Sequence, residues 1–137
     1  MGINLIKISV VYFLIGVSMG MFMSMSHQFN LTPVHVHINL LGWTSLTLAG
    51  LLYHFFPKAG ESMLEKIHFW LHNIGLPIMM IGLSFVVYGK LSFEPIIAVG
   101  GTITWLSILL FVINIIKNVQ RDTSIDQNIQ NDKGTSI

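Results

Sequence analysis

The sequence contains no cysteine and very few charged side chains. Of its 137 residues, 53% are hydrophobic and only 9% are charged. Without cysteine the chain has no disulfide, no thiolate metal site and no C-x-x-C-H motif for covalently attached haem. Because charge is so scarce, neither an ordinary water-soluble domain nor a basic nucleic-acid-binding surface is expected. The composition therefore predicts an integral membrane protein whose surroundings are lipid.

Three long segments lack Asp, Glu, Lys and Arg: residues 8–57, 67–89 and 95–116. A membrane-spanning helix needs about 20 mostly apolar residues, so the first segment has room for two helices, with a break between residues 27 and 34. We predict an all-α, four-helix transmembrane bundle over residues 1–117. Its helices are expected at about residues 5–26, 35–56, 67–89 and 93–116.

Positive charges are distributed unevenly along this four-span arrangement. Lys90 alone falls on one side, and the other six cations fall on the opposite side: Lys7, Lys58, Lys66, Lys117, Arg121 and Lys133. Positive residues favour the cytoplasmic side, so both termini are predicted to be cytoplasmic, in a multi-pass protein of the bacterial inner membrane. The polar residues 118–137 are predicted to form a disordered cytoplasmic tail.

Small and polar residues recur every three or four positions in three of the predicted helices. In lipid, helices associate through such residues because they allow close backbone approach or hydrogen bonds between helices. The first stripe is Gly16, Gly20, Ser24 and His27; the second is His68, His72, Gly75, Met79, Gly82, Val86 and Gly89; the third is Gly100, Thr104, Ser107, Phe111 and Asn114. We expect these stripes to face the interior of the bundle.

The topology separates the six histidines into two layers. His27, His35 and His37 lie near the outer surface, and His54, His68 and His72 lie near the inner one. Because His37 and His54 are 17 positions apart, about 25 Å along a helix, no single metal ion could join the two layers.

In the outer layer, the imidazole of His37 could bind haem iron, with His27 or a histidine of another subunit as its partner. The alternative is that these histidines bond to water and lipid headgroups at the membrane boundary. His35 and His37 are about 200° apart around a helix, so the two cannot face one centre, and one of them is expected to cap or to pack. Asn39 lies on the side of His35 and could anchor a neighbouring group by a hydrogen bond.

In the inner layer, His54, His68 and His72 could together hold copper or zinc, or supply a haem ligand. The alternative is that they bond to backbone carbonyls and to Glu61 or Glu65. Alternate methionines precede His27, at Met19, Met21, Met23 and Met25. Thioethers suit Cu(I), but alternate positions point to different sides of a helix, which favours a packing role.

Residues 33–43, PVHVHINLLGW, resemble the second transmembrane helix of the catalytic subunit of heme-copper oxidases, especially C-type oxidases and nitric-oxide reductases. In that family a histidine in an x-His-x-Asn context ligates the low-spin haem, and His37, followed by Ile38 and Asn39, is the matching position. Looser matches are residues 50–57 and 68–77. The similarity covers roughly residues 10–90 and also extends to short four-helix proteins that are subunit I-like.

The resemblance implies non-covalently bound haem b on His37, electron transfer or handling of a diatomic gas such as nitric oxide, a homo-oligomer and a respiratory electron donor. The later helices that supply the other haem and copper ligands of a full oxidase have no counterpart here, so complete oxygen reduction by this chain is not expected. Two alternatives stay open: a copper or haem trafficking protein, and a cofactor-free accessory subunit of a respiratory oxidase.

Overall fold

The computed structural model describes residues 1–119, and this part of the chain is entirely helical. The elements run in the order α1 (Gly2–Ser26), α2 (Thr32–His37), a π segment (Ile38–Ser45), α3 (Leu46–Phe55), the short α4 (Pro57–Gly60), α5 (Met63–Val86), a 3₁₀ turn (Leu91–Phe93) and α6 (Glu94–Asn118). The predicted all-α class is confirmed for these residues.

Among residues 1–119, three helices are long and apolar enough to cross a membrane by length and composition: Gly2–Ser26, Met63–Val86 and Leu91–Asn118. The remaining helical stretch, from Thr32 to Phe55, passes from α to π and back to α geometry without a break in helical backbone. We call it the α2–π–α3 run. The predicted break between the first two helices is found at residues 27–31, shorter than the expected 27–34.

The ends of the helices follow from local chemistry. His27 ends α1 in the left-handed region, at φ 54°, a conformation that closes many helices. Pro33 and Pro95 lie in the first turns of α2 and α6, where the missing N–H costs nothing. The Ser62 hydroxyl accepts a hydrogen bond from the Glu65 backbone N–H at 3.1 Å and so caps α5.

The helices pack as two antiparallel pairs. α1 lies along the α2–π–α3 run, and α5 lies along α6. The α5–α6 pair is very close because Gly75 and Gly100 face the partner backbone: a Cβ on Gly75 would meet Thr104, and one on Gly100 would meet the Met79 backbone. The prediction that these stripes allow close backbone approach is therefore confirmed at Gly75 and Gly100, whereas Gly89 is exposed beyond the end of α5.

The interior of the bundle is polar at many positions and its exterior is apolar. Buried polar residues include Ser9, Glu65, His68, His72, Thr104, Ser107 and Asn114. Large apolar side chains such as Leu14, Phe55 and Ile116 are mostly exposed. This distribution is typical of helices surrounded by lipid, in which polar side chains turn toward the bundle.

The described chain begins and ends at the same end of the bundle. The Met1 amino nitrogen lies 3.4 Å from a Glu65 carboxylate oxygen at the start of α5. Near the end of α6, the Asn114 side chain bonds to Ser62 and to the Ala59 carbonyl, at 3.0 Å each. We call this the Met1 end. Of the predicted tail, Asn118 still belongs to α6, and residues 120–137 lie outside the described residues.

Candidate cofactor site and buried polar layer

His37 is the last residue of α2 and is half-buried. Its Nδ1 lies 2.7 Å from the backbone carbonyl oxygen of Pro33, one turn earlier. A carbonyl oxygen can only accept, so Nδ1 carries the proton and the lone pair of the neutral ring is on Nε2. A backbone carbonyl bonded to one nitrogen of a histidine is a common arrangement where the other nitrogen binds a metal.

His35 faces α1, on the other side of α2 from His37. Its Nδ1 donates to the Gly16 carbonyl at 2.8 Å, and its ring lies against Gly20. The Asn39 amide donates to the His35 carbonyl at 2.9 Å and fills the space beside Gly16. The seam between α1 and α2 is therefore filled by protein groups, and His35 and Asn39 act there as packing and hydrogen-bonding residues. The predicted separation of His35 from His37 around the helix is found.

The prediction that Ser24 and His27 face the interior of the bundle with Gly16 and Gly20 is wrong, because both side chains are exposed. His27 stands apart from the packed seam. It is exposed at the end of α1, and its left-handed backbone begins the turn that leads into α2. Ahead of it, Met23 is buried and Met19 is half-buried in the core, whereas Met21 and Met25 are exposed. The four methionines thus point to different sides of α1, as their spacing predicted.

The π segment follows His37 directly. The carbonyl oxygens of three consecutive residues, Asn39, Leu40 and Leu41, each accept a side-chain hydrogen bond. In π geometry backbone bonds run from i to i+5, and such segments occur frequently at functional sites. No pattern in the sequence distinguished these residues from an ordinary α-helix.

His68 and His72 lie one turn apart on α5 and are almost completely buried. The His68 Nδ1 is 3.1 Å from the Tyr53 hydroxyl. The His72 Nδ1 is 3.1 Å from the Ser107 hydroxyl, and its Nε2 is 3.1 Å from the Leu41 carbonyl oxygen. Both ring nitrogens of His72 therefore have protein partners, one on α6 and one in the π segment.

The predicted inner metal site is not assembled in this structure. The His68 and His72 rings are 5.5 Å apart between centroids, edge to face, but His54 is exposed and lines an open cleft of about 350 Å³ at the Met1 end. Within residues 1–119, no group of three or more histidine, aspartate or glutamate side chains is placed to hold a metal ion. The alternative prediction, that these histidines bond to backbone carbonyls, fits His72, whose Nε2 contacts the Leu41 carbonyl oxygen.

Glu65 is the group that sequence reasoning placed least well. As a possible partner of the inner histidines it is expected near the membrane boundary, yet it is 1% exposed, and its carboxylate lies beside the Met1 amino nitrogen. Tyr53 and Ser107 were also not identified as partners of the histidines. Ser107 had a visible signal, since it shares a stripe with Thr104 and Asn114; Tyr53 had none.

One comparison links the chain to a protein of known type. Over 58 residues it is 40% identical to the cbb3-type cytochrome c oxidase subunit CcoN1 of Stutzerimonas stutzeri, a match that covers 38% of this chain. The matched region is 12% of the length of that subunit. No family model matches the chain, and no solved structure matches it. The similarity is therefore local and concerns a small part of an oxidase subunit.

Proposed function

We propose that this chain is a haem b-binding protein of the bacterial inner membrane, related to the catalytic subunit of heme-copper oxidases. It serves electron transfer or diatomic gas binding rather than complete oxygen reduction. Partial similarity to an oxidase subunit and three helices apolar enough to cross a membrane support this proposal. The α2–π–α3 run is proposed as a fourth span, since residues 32–55 are continuously helical.

The hydrogen bond between His37 and Pro33 is the observation that carries the proposal. It keeps the proton on Nδ1 and leaves Nε2 as the donor atom for iron, and the carbonyl raises the basicity of the ring. The side chain is half-buried, which makes it accessible from the surface of the bundle. These properties fit one axial ligand of a haem. When bound, haem b would supply a one-electron couple and, with one axial position open, a site for a diatomic gas.

The direction in which the His37 side chain points limits where a second axial haem ligand could come from. His35 faces α1 through Gly16 and Gly20, so His37, about 200° away around the helix, points away from α1. Val34 and Ile38, on the neighbouring face, are buried in a cluster with Leu76 of α5. A haem on His37 would therefore lie on the outside of the four-helix unit. We propose that another copy of the chain covers it and supplies the second ligand, with a respiratory-chain protein as electron donor.

The test is a reduced-minus-oxidised spectrum with haem extraction on the full chain purified from membranes. Wild type is expected to show a Soret band with sharp reduced α and β bands, and His37→Ala is expected to lose them. His54→Ala is the matched control, because His54 is exposed at the Met1 end, and it should keep its haem. Unchanged haem content in His37→Ala, or colourless wild type after haem is supplied, would contradict the proposal.

A further inference from the structure

The π segment is held by side chains that bond to three consecutive carbonyls. The Thr44 hydroxyl donates to the Asn39 carbonyl at 3.1 Å, and the Ser45 hydroxyl donates to the Leu40 carbonyl at 2.8 Å. Both bonds reach back five residues, and both are local. The third carbonyl, of Leu41, accepts from His72 Nε2 at 3.1 Å. Of the bonds to these three consecutive carbonyls, one therefore comes from another helix.

His72 is well placed to hold that carbonyl. It is 1% exposed, and its second nitrogen is bonded to Ser107 of α6. A few residues further along α5, Gly75 and Gly100 bring the backbones of α5 and α6 into contact. The ring is therefore fixed by two closely packed helices, and its Nε2–H is presented to the π segment from a rigid position.

The geometry of the π segment affects where His37 points. An i→i+5 bond includes one residue more than an i→i+4 bond. A return to α geometry would therefore turn α2 about its axis relative to α3. Leu41 is one turn from His37, so the carbonyl that His72 holds lies in the turn that would rotate.

We infer that His72 is a positioning residue: through the Leu41 carbonyl it keeps residues 38–45 in π geometry and so sets the direction of His37. The consequence for haem rests on the proposed function. The effect on the helix does not, because it concerns only the hydrogen bonds of the chain itself.

Because the chain has no cysteine, introduced cysteines can carry labels that measure the effect of His72 on the helix. Val36 and Leu48 are both exposed and lie on either side of the π segment. Each is replaced by cysteine, as Val36→Cys and Leu48→Cys. Spin labels on this pair, in the full chain in detergent, report the rotation and length of the run as a distance distribution. The pair is combined with His72→Leu, which removes both hydrogen bonds, and with His72→Gln, whose amide can still donate to Leu41. His68→Leu is the control, because His68 is buried one turn away but bonds to Tyr53 instead.

The label distance is expected to shift or broaden in His72→Leu and to match wild type in His72→Gln and His68→Leu. Haem affinity should follow the same order, with a loss of about 10- to 100-fold in His72→Leu, as for other residues that orient a ligand. An unchanged label distance in His72→Leu overturns the inference, and so does a shifted distance with unchanged haem affinity. If wild type binds no haem, the proposed function fails, and the label distances alone decide whether His72 holds the helix.

Discussion

Gly16 shows how much one missing side chain determines in the seam between α1 and α2. Its carbonyl accepts the His35 Nδ1 proton at 2.8 Å, and the space above its Cα is taken by the Asn39 amide. That amide in turn bonds to the His35 carbonyl. A single glycine therefore makes room for the group that orients the backbone two residues before His37.

Gly16→Val should disrupt this arrangement. The new side chain would displace the Asn39 amide, and overpacking of this kind typically costs about 1–3 kcal/mol. Ser18→Val brings the same residue to an exposed position of α1 and serves as the control. Unfolding of both variants in a detergent titration measures the difference, and equal stabilities would show that the amide has space to move.

At the scale of elements, α5 and α6 are in close backbone contact along their shared seam. Adjacent glycines on α6 have different surroundings. A Cβ on Gly100 would meet the backbone of Met79, whereas one on Gly101 would have only the Met79 sulfur within contact, at 3.5 Å. Replacing each of these two glycines by alanine therefore distinguishes the effect of helix packing on stability from the effect of helix propensity.

Gly101→Ala should be neutral or stabilising, because alanine is favoured over glycine in a helix by about 1 kcal/mol. Gly100→Ala should instead destabilise the protein, because backbone atoms cannot move aside and the two helices must separate; a net loss of about 1–3 kcal/mol is expected. Thermal unfolding of the two variants provides the measurement. A Gly100→Ala variant as stable as Gly101→Ala would mean that the helices are less closely packed than described.

The same helices show which features could be read from the sequence. Periodic small and polar residues revealed the inner faces of α5 and α6, because a helical repeat assigns each position to a face. The π segment left no such signal, since it depends on Thr44, Ser45 and a histidine 31 positions beyond Leu41. The partner of His72 in the π segment is a backbone carbonyl, which every residue has, and the Met1 amino nitrogen that lies beside the buried Glu65 carboxylate is far from it in sequence. These features arise only when separate helices meet.

At the scale of the whole molecule, the two ends of the described chain share one end of the bundle. Met1 lies beside Glu65, and Asn114 bonds to Ser62 and the Ala59 carbonyl. The turn that contains Lys90 joins the other ends of α5 and α6. In a membrane, residues of these two regions are expected on opposite faces.

Single cysteines introduced into this cysteine-free chain can measure the topology. Lys58→Cys and Lys117→Cys should react with a membrane-impermeant maleimide from the cytoplasmic side, and Lys90→Cys should react only from the outside. Sealed right-side-out and inverted vesicles provide the two orientations. Reaction of Lys58→Cys and Lys90→Cys from the same side would contradict a four-span arrangement.

The two-pair packing also indicates which motions the fold allows. Because glycines bring α5 and α6 into backbone contact, that pair is expected to move as one body, and α1 with the α2–π–α3 run forms the other. His68 and His72 bridge the line between them, through Tyr53 and Leu41. Rocking of one pair against the other would stretch these two imidazole bonds, one turn apart, together with the Met1–Glu65 contact and the cluster of Val34, Ile38 and Leu76, so the stiffness of the fold along that line depends in part on two neighbouring side chains.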